Sequence, residues 1–362
     1  MSGYYIHLPF CRSRCHYCDF TSYANKKNQI DSYLEALEIE FKLNSKHLKN
    51  PDTLYIGGGT PSFLSIKQLN ELIKRINLHL GQIKKFKEIT FEANPDSLSM
   101  EKIKALKTAG INRISLGLQT TNDKLLNKLG RNASMSDFTK AYSNLKIAGF
   151  KNVNIDIMCG IPEQTLQDLN QTLSQIIKLK SAHISIYGLE IHKGTVFYKK
   201  KIKSDGDMAF EMYETARKIL KKKGYEHYEI SNFARKGYQS KHNINYWING
   251  EYAGFGCSAA SYLKGTRSKN TTDLARYISS NLKNNPLLEY SETLVGKEKL
   301  GEQIILALRT SQGIVLEDHI FIKCKDSIER LLNLGLIELK KGRLKIKPKH
   351  FYISNKIFSE FV

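Results

Sequence analysis

Short apolar runs alternate with amphipathic helical patterns over the first half of the chain, and this alternation restricts the fold more than any other feature. Six runs rich in β-branched and aromatic residues predict strands at 4–8, 54–56, 89–92, 114–118, 153–158 and 184–187. Alternation over about 190 residues predicts parallel strands joined by right-handed crossovers. An open doubly wound sheet and a closed or partial barrel both fit this pattern.

Residues of unusual type follow the predicted strands. They are the cysteines of the first loop, Gly57–Gly59, Glu92, Gln119 and Gly160–Pro162. Helices then begin at two capping boxes, Ser65 with Gln68 and Thr165 with Asp168. Because ligands of α/β proteins bind at the carboxyl ends of parallel strands, we expect one site at this edge.

The second half of the chain has a different pattern. Helices are predicted at 205–225 and 297–308, and 231–262, rich in Gly, Asn and aromatics, is predicted as irregular loop with short strands. Alternation over 331–346 predicts a β-hairpin that turns at Lys341 and Gly342. We therefore divide the chain into 1–230, a connecting segment 231–290, and a C-terminal α/β subdomain 291–362.

The net charge of the chain and the length of its apolar stretches predict where the protein is located and what it binds. The formal net charge is +21, carried mostly by Lys, whereas Arg, the better reader of bases, is scarcer. We expect solvated Lys-rich helix faces or weak contact with an acidic membrane surface, and no specific nucleic-acid binding. No apolar stretch approaches the roughly 20 residues of a membrane span, and the N-terminus lacks a signal-peptide pattern. The expected location is the cytoplasm, with peripheral contact at the inner membrane face as an alternative.

Three of the six cysteines lie within eight residues, as Cys11-x3-Cys15-x2-Cys18. Clustered thiols of this kind favour metal binding over a disulfide framework. Three thiolates can each bind one iron of a [4Fe–4S] cluster, which leaves the fourth iron open to another ligand. A zinc site with His16 as fourth ligand is the main alternative, although no second ligand pair follows. The scattered Cys159, Cys257 and Cys324 are expected to be structural.

The cysteine loop and the preceding Tyr5-Ile-His-Leu-Pro-Phe resemble the radical S-adenosylmethionine (SAM) superfamily, and more narrowly the oxygen-independent coproporphyrinogen III oxidase family. The resemblance extends to the C-terminal subdomain and implies a partial (β/α)6 TIM-like barrel. It implies a [4Fe–4S] cluster on the three cysteines with SAM at the open iron. The implied SAM contacts are Tyr5, Tyr17, Gly58, Gly59, Thr60, Glu92, Gln119, Arg131, Asp156 and Ala260.

Two features favour one branch of that family. The oxidases carry a fourth loop cysteine where this chain has Phe20. The segment Lys241-His-Asn-Ile-Asn-Tyr-Trp247 matches the His-Asn-x-x-Tyr-Trp motif of the related heme chaperones, the HemW group. This resemblance implies that the segment takes part in binding heme. The residue types suit that role, because His242 can supply an axial nitrogen to the iron, and Tyr246 and Trp247 can stack on the porphyrin face. The alternative is an aromatic loop packed on the barrel, with His242 hydrogen-bonded internally.

Three functions therefore remain open at the level of sequence. The first is a heme chaperone that passes heme to acceptor hemoproteins, some of them membrane-bound. The second is anaerobic coproporphyrinogen III dehydrogenase, which the absent fourth cysteine disfavours. The third is a radical SAM enzyme acting on RNA, for which no RNA-binding module is recognisable. No catalytic residue is assigned.

Overall fold

Six parallel strands, adjacent in space in the order of the chain, form the centre of the fold. The computed structural model describes residues 1–362, and this whole chain contains seventeen strands. The strands are β1 (Gly3–Leu8), β2 (Phe10–Cys11), β3 (Tyr23–Ala24), β4 (Thr53–Gly58), β5 (Glu88–Ala93), β6 (Arg113–Gln119), β7 (Asn152–Cys159), β8 (His183–Gly188), β9 (Glu226–Glu229), β10 (Asn232–Ala234), β11 (Tyr252–Phe255), β12 (Ala260–Leu263), β13 (Thr266–Asn270), β14 (Leu288–Thr293), β15 (Ile314–Val315), β16 (Ile337–Lys340) and β17 (Arg343–Ile346). The six central ones are β1, β4, β5, β6, β7 and β8.

Helices connect and cover these strands. They are α1 (Ile30–Asn44), α2 (Ile66–His79), α3 (Met100–Ala109), α4 (Asp123–Lys128), α5 (Met135–Ile147), α6 (Leu166–Lys178), α7 (Val196–Lys199), α8 (Gly206–Lys222), α9 (Lys241–Trp247), α10 (Leu274–Asn281), α11 (Gly296–Leu308), α12 (Asp318–Asn333) and α13 (Ser354–Phe358). Both predicted capping boxes are present, at the starts of α2 and α6. None of the helices is both long and apolar enough to cross a membrane.

The large sheet has the order β14-β13-β12-β11-β1-β4-β5-β6-β7-β8-β10-β9. Strands β1, β4, β5, β6, β7 and β8 pair in parallel, which confirms the six predicted strands and the α/β class. Because β9 and β14 are unpaired edges, the sheet is open, as in a partial barrel. Every residue of β6 is buried, as expected where helices cover one face and the barrel interior lies on the other.

The segment 231–290 adds strands to both ends of this sheet. Strand β10 pairs antiparallel with β8, whereas β11 pairs parallel with β1 and begins an antiparallel run that ends at β14. The segment also contains α9, which the sequence pattern did not predict. The division at residues 230 and 290 stays a proposal about the units of the chain.

The C-terminal part consists of α11, α12, α13 and a three-stranded sheet of order β15-β17-β16. The predicted hairpin turns at Lys341 and Gly342, as expected. Its predicted start at residue 331 is wrong, because α12 continues to Asn333 and buries Ile328 and Leu331 on one face. The helical spacing of those two residues was the signal that could have corrected the boundary.

Candidate functional site

The cysteine loop is held against the carboxyl edge of the parallel strands by backbone pairing. Strand β2 pairs with β3 in parallel, so Cys11 lies opposite Ala24. At the middle of the loop, the backbone N–H of His16 donates to the Leu129 carbonyl at 2.9 Å. The His16 Nδ1 atom lies 2.8 Å from the Lys128 carbonyl oxygen. His16, considered above as a zinc ligand, thus anchors the loop to the C-terminal end of α4.

Polar hydrogens surround the three thiols. The Thr60 hydroxyl donates to Cys11 Sγ at 3.4 Å, and an Arg131 N–H group lies 3.9 Å from Cys15 Sγ. The Cys18 Sγ atom is 4.0 Å from the Ser22 hydroxyl. Burial raises the pKa of Cys11 to about 11 and also raises the pKa of Cys18. A bound metal centre favours the thiolate form of Cys11 and Cys18, and the surrounding donors suit metal-bound sulfur.

Glycines after β4 bring backbone close to this loop. A Cβ on Gly59 would lie 2.9 Å from Cys11 Sγ and 2.9 Å from the Phe10 carbonyl oxygen. Gly58 has a φ of +114°, and a Cβ there would lie 2.9 Å from the His7 ring. Close packing beside the thiols therefore requires glycine at these two positions. Because glycine has no side chain, the backbone here can approach the loop closely.

The thiols open onto a cavity of about 690 Å³, which we call the cluster cavity. No group of three or more His, Cys, Asp or Glu side chains converges on a single metal ion. A cubane does not need such convergence, because each thiolate binds a different iron. The donor set and the volume fit a [4Fe–4S] cluster with a nucleoside-sized ligand beside it. Residues predicted from sequence that line this cavity are Cys11, Cys15, Cys18, Tyr17, Gly58, Gly59, Thr60, Glu92, Gln119, Arg131 and Asp156.

Glu92 lies at the end of β5 with both carboxylate oxygens engaged. The Tyr55 hydroxyl donates to Oε1 at 2.6 Å, and the Gly58 backbone N–H donates to Oε2 at 3.1 Å. Burial raises the pKa of Glu92 to about 7, an effect that the Tyr55 hydrogen bond partly opposes. A cationic ligand such as an ammonium group would favour the ionised form of this carboxyl.

Arg131 and Asp156 lie on neighbouring parts of the wall. One terminal nitrogen of Arg131 donates to the Gly117 carbonyl at 2.8 Å and to Asn94 Oδ1 at 3.0 Å. Asp156 accepts from the Asn154 amide at 2.7 Å, and burial raises its pKa despite that bond. Both side chains are thus fixed by the protein before a ligand arrives, which is how polar contacts give orientation.

Gln119 ends β6 in a strained conformation. Its φ is +74°, and the register of β6 against β7 shifts between Gly117 and Gln119. Bulges of this kind re-aim side chains at the ends of strands, and a positive φ in a non-glycine residue marks functional positions. The amide of Gln119 is thereby turned towards the cluster cavity, where the sequence analysis expected it.

Residues of the C-terminal part complete the cluster cavity, and the sequence did not predict them. They are Arg309, Phe351, Tyr352, Ser354 and Asn355. Arg309 also stacks on Trp247, with its guanidinium carbon 4.4 Å from the ring centroid. These residues are far from the cysteine loop in sequence and reach the site only through the tertiary fold, so no local sequence pattern could have revealed them.

A second cavity of about 480 Å³ lies beside the first, and we call it the aromatic cavity. Asp19 and Phe20 line both cavities and so form the wall between them. Phe20, which occupies the place of a fourth loop cysteine, is 66% exposed. Tyr5 and Ala260, implied as SAM contacts, line the aromatic cavity and not the cluster cavity. They share it with Tyr246, Trp247, Tyr252, Tyr290, Arg267 and Lys269.

The His-Asn-x-x-Tyr-Trp segment forms α9, capped by Ser240. Inside it, His242 is fully buried, with Nδ1 2.8 Å from the Thr53 hydroxyl and Nε2 2.7 Å from the Tyr246 hydroxyl. Burial, reinforced by the charge of Arg113, lowers the pKa of His242 to about 3. In this structure His242 has no free nitrogen for a ligand, and axial ligation of heme iron would require one of these hydrogen bonds to break. That ligation stays a prediction.

Comparisons with known proteins identify relatives over the whole length. A family model described as the radical SAM superfamily matches residues 5–176. The chain is 37% identical to the heme chaperone HemW of Lactococcus lactis, with 99% of this chain and 96% of that protein covered. It is 39% identical to the heme chaperone HemW of Bacillus subtilis, with 87% and 85% covered.

Among solved structures, coproporphyrinogen III oxidase (HemN) from Escherichia coli, described as a radical SAM enzyme, matches with a TM-score of 0.87. The match covers 99% of this chain and 89% of that one at 21% sequence identity. At that identity the likeness concerns the fold, and it confirms the partial radical SAM barrel expected from the sequence.

Proposed function

Because the chain belongs to the heme chaperone HemW family within the radical SAM superfamily, we propose that it binds heme and transfers it to acceptor hemoproteins. A [4Fe–4S] cluster is held by Cys11, Cys15 and Cys18, with SAM at its open iron. When bound, such a cluster supplies an electron that cleaves SAM in radical enzymes. The observation that carries the proposal is the aromatic cavity beside α9. Two residues of the motif, Tyr246 and Trp247, line this cavity, and it has room for a flat ligand.

Residues of the cluster cavity bind and orient SAM in this proposal. The backbone of Gly58 and Gly59 allows close approach, and Glu92 accepts hydrogen bonds from the ammonium or ribose groups. Arg131, Gln119 and Asp156 are held by their own contacts and provide fixed polar groups. Tyr17 covers the cluster side of the cavity.

In the aromatic cavity, Tyr246 and Trp247 contact the porphyrin face. The wall formed by Asp19 and Phe20 lies between this cavity and the cluster cavity. Tyr5 and Ala260 line the aromatic cavity, and their contact with SAM requires the ligand to reach past this wall.

The alternative is oxidative decarboxylation of coproporphyrinogen III, supported by the shared fold with HemN and by the SAM-type cavity. Phe20 in place of a fourth loop cysteine weighs against it. The two functions differ in what becomes of SAM: an enzyme couples its cleavage to loss of substrate, whereas a carrier does not need to cleave it.

The deciding experiment has two arms on the same cluster-reconstituted protein under anaerobic conditions. In the first, heme-loaded protein is mixed with a heme-extracted cytochrome, and recovery of the holo-cytochrome is compared with free hemin as control. In the second, coproporphyrinogen III is supplied with SAM and a reductant. Heme transfer without decarboxylation supports the proposal. Decarboxylation with matching 5′-deoxyadenosine release, and no transfer, would overturn it.

Contact with an acidic membrane surface is a further element of the proposal, because the net charge is +21 and some hemoprotein acceptors are membrane-bound. Co-sedimentation with vesicles that contain acidic lipid, but not with neutral vesicles, is the expected result. Sedimentation that does not depend on acidic lipid would contradict this element alone.

A further inference from the structure

The antiparallel edge of the sheet forms one wall of the aromatic cavity, and its register aligns particular side chains. Ala260 of β12 lies opposite Lys269 of β13, and Lys269 lies opposite Tyr290 of β14. Residues directly opposite one another in neighbouring strands point to the same face of a sheet. The small side chain of Ala260 therefore leaves open space directly beside the Lys269 ammonium group and the Tyr290 ring.

A second cation occupies the same wall. Arg267 precedes Lys269 by two positions in β13, so both side chains lie on one face. The Arg267 guanidinium forms an ion pair with Glu302 at 2.6 Å through one terminal nitrogen, and its buried Nε has no hydrogen-bond partner. Lys269 forms no ion pair at all. Glu292 of β14 lies opposite Arg267, so the charge of Arg267 is offset by two neighbouring acids, whereas Lys269 is a cation without an ion pair.

Aromatic side chains lie beside these cations: Tyr252 of β11 belongs to the same sheet, and Tyr246 and Trp247 come from α9. Tyr246 and Tyr252 pack edge to face, with ring centroids 4.6 Å apart, and Trp247 lies next to Tyr246. The acid that lines the cavity, Asp19, lies at the wall shared with the cluster cavity and within 3.6 Å of His192. The cavity therefore combines aromatic rings with one lysine that has no ion pair and one arginine that is paired with an acid.

We propose that Arg267 and Lys269 bind the two propionate carboxylates of heme, whose macrocycle packs against Tyr246, Trp247 and Tyr252. This inference rests on the proposed function and names the part of the molecule that recognises its cargo. Heme is a flat apolar ring with two carboxylates on one edge, so it matches a cavity that is lined by aromatic rings and has two cations on β13. Guanidinium groups pair with carboxylates in a fork geometry, and a lysine supplies a point charge.

The test compares hemin with hemin dimethyl ester, which has the same ring but no carboxylates. Both are titrated into the full-length, cluster-reconstituted protein and followed by Soret absorbance. The wild-type protein is expected to bind hemin about tenfold more tightly than the ester, the size expected for loss of charge-assisted contacts.

Variants locate that preference. Lys269→Gln is expected to lower the preference for hemin, and Lys269→Gln combined with Arg267→Gln and Glu302→Gln to abolish it. Changing Glu302 along with Arg267 avoids leaving a half-buried carboxylate unpaired. Lys264→Gln, an exposed lysine in the turn of the same hairpin, serves as the matched control and is expected to keep the full preference.

The outcomes separate the two proposals. Saturable hemin binding with an unchanged preference in both cavity variants would overturn the inference and leave the chaperone function standing. Absence of saturable hemin binding by the wild-type protein would overturn both. An equal loss of preference in the Lys264→Gln control would show a general effect of net charge and would also overturn the inference.

Discussion

The Nε2 atom of His242 lies 2.7 Å from the Tyr246 hydroxyl, while its Nδ1 atom lies 2.8 Å from the Thr53 hydroxyl. The imidazole therefore links strand β4 to the phenol that faces the aromatic cavity. With both nitrogens used inside the protein, His242 is placed to position Tyr246, whereas Tyr246 and Trp247 are placed to contact the ligand.

We expect His242→Ala to lower the free energy of unfolding by about 2–4 kcal/mol, because two buried hydroxyls lose their partner. Heme affinity should fall through displacement of Tyr246, but the Soret maximum of the bound heme should stay at the wild-type wavelength. Urea unfolding and heme titration measure the two effects. Tyr246→Phe, which removes only the phenol oxygen, is the matched variant. A Soret shift in His242→Ala that is absent from Tyr246→Phe would instead establish axial ligation by His242.

The cluster loop gives the second prediction. Cys15→Ala should abolish assembly of a stable [4Fe–4S] cluster, so iron per chain after reconstitution falls well below about four. Cys324→Ser is the control, since Cys324 is half-buried in α12 and lies outside both cavities. Iron and sulfide analysis with visible absorbance reports the result. Equal iron loading of both variants would show that the loop is not the cluster site.

Close packing behind the loop gives the third prediction. Gly59→Ala would bring a Cβ within 2.9 Å of both Cys11 Sγ and the Phe10 carbonyl, so the loop must shift at a cost of about 1–3 kcal/mol. We expect lower stability and poor cluster retention on gel filtration. Gly206→Ala, at the start of α8 with nothing within 4 Å of its Cβ, should match the wild type. Normal cluster retention in Gly59→Ala would be inconsistent with a tight glycine cradle.

Glu92 gives a pH-dependent prediction for the protein without cluster or SAM. The pKa of Glu92 is raised from 4.5 to about 7, mainly by burial and also by the nearby Asp156, whereas Arg113 acts to lower it. The folded state therefore holds this proton more tightly than the unfolded state. Stability should fall as pH rises from about 4.5 to about 7, by up to roughly 3 kcal/mol from this group.

Urea unfolding at pH 5 and pH 7.5 measures that effect in wild type and Glu92→Gln. The variant should lose less stability than the wild type between these two pH values, because its amide does not ionise. Buried Glu229, whose pKa is also raised to about 7, remains in both proteins, so part of the dependence persists. If both proteins lost the same unfolding free energy between these pH values, ionisation of Glu92 would not destabilise the fold, and the prediction would be wrong.

Local patterns predicted the central fold because the parallel strands carry apolar residues at alternating positions, as at Ile114, Leu116 and Leu118, and the helices have a regular apolar face. The cysteine spacing and the residues after the strands located the cluster cavity, since strand ends meet at one edge. Residues 241–247 were predicted as loop, although they form α9. The helix depends on Glu88 of a distant strand, which accepts from the backbone N–H groups of Lys241 and His242.

The aromatic cavity was outside the reach of sequence reasoning for a similar reason. Arg267 and Lys269 belong to a short strand, β13, which pairs with β12 before it and with β14, and β14 follows in the chain only after α10. Only the register between β12 and β13 brings Lys269 opposite Ala260 and Arg267 opposite Tyr262, where both cations line the same cavity as α9. Tyr5 and Ala260 were likewise assigned to SAM by resemblance, and their place in this second cavity emerges from the sheet order alone.

The most direct test of the central claim is an anaerobic titration of hemin into the cluster-reconstituted, full-length protein, followed by Soret absorbance. A carrier with one aromatic cavity should give a saturable curve near one heme per chain. A non-saturating rise, as for hemin adsorbed on a basic surface, would contradict the chaperone account and make coproporphyrinogen III turnover the leading function.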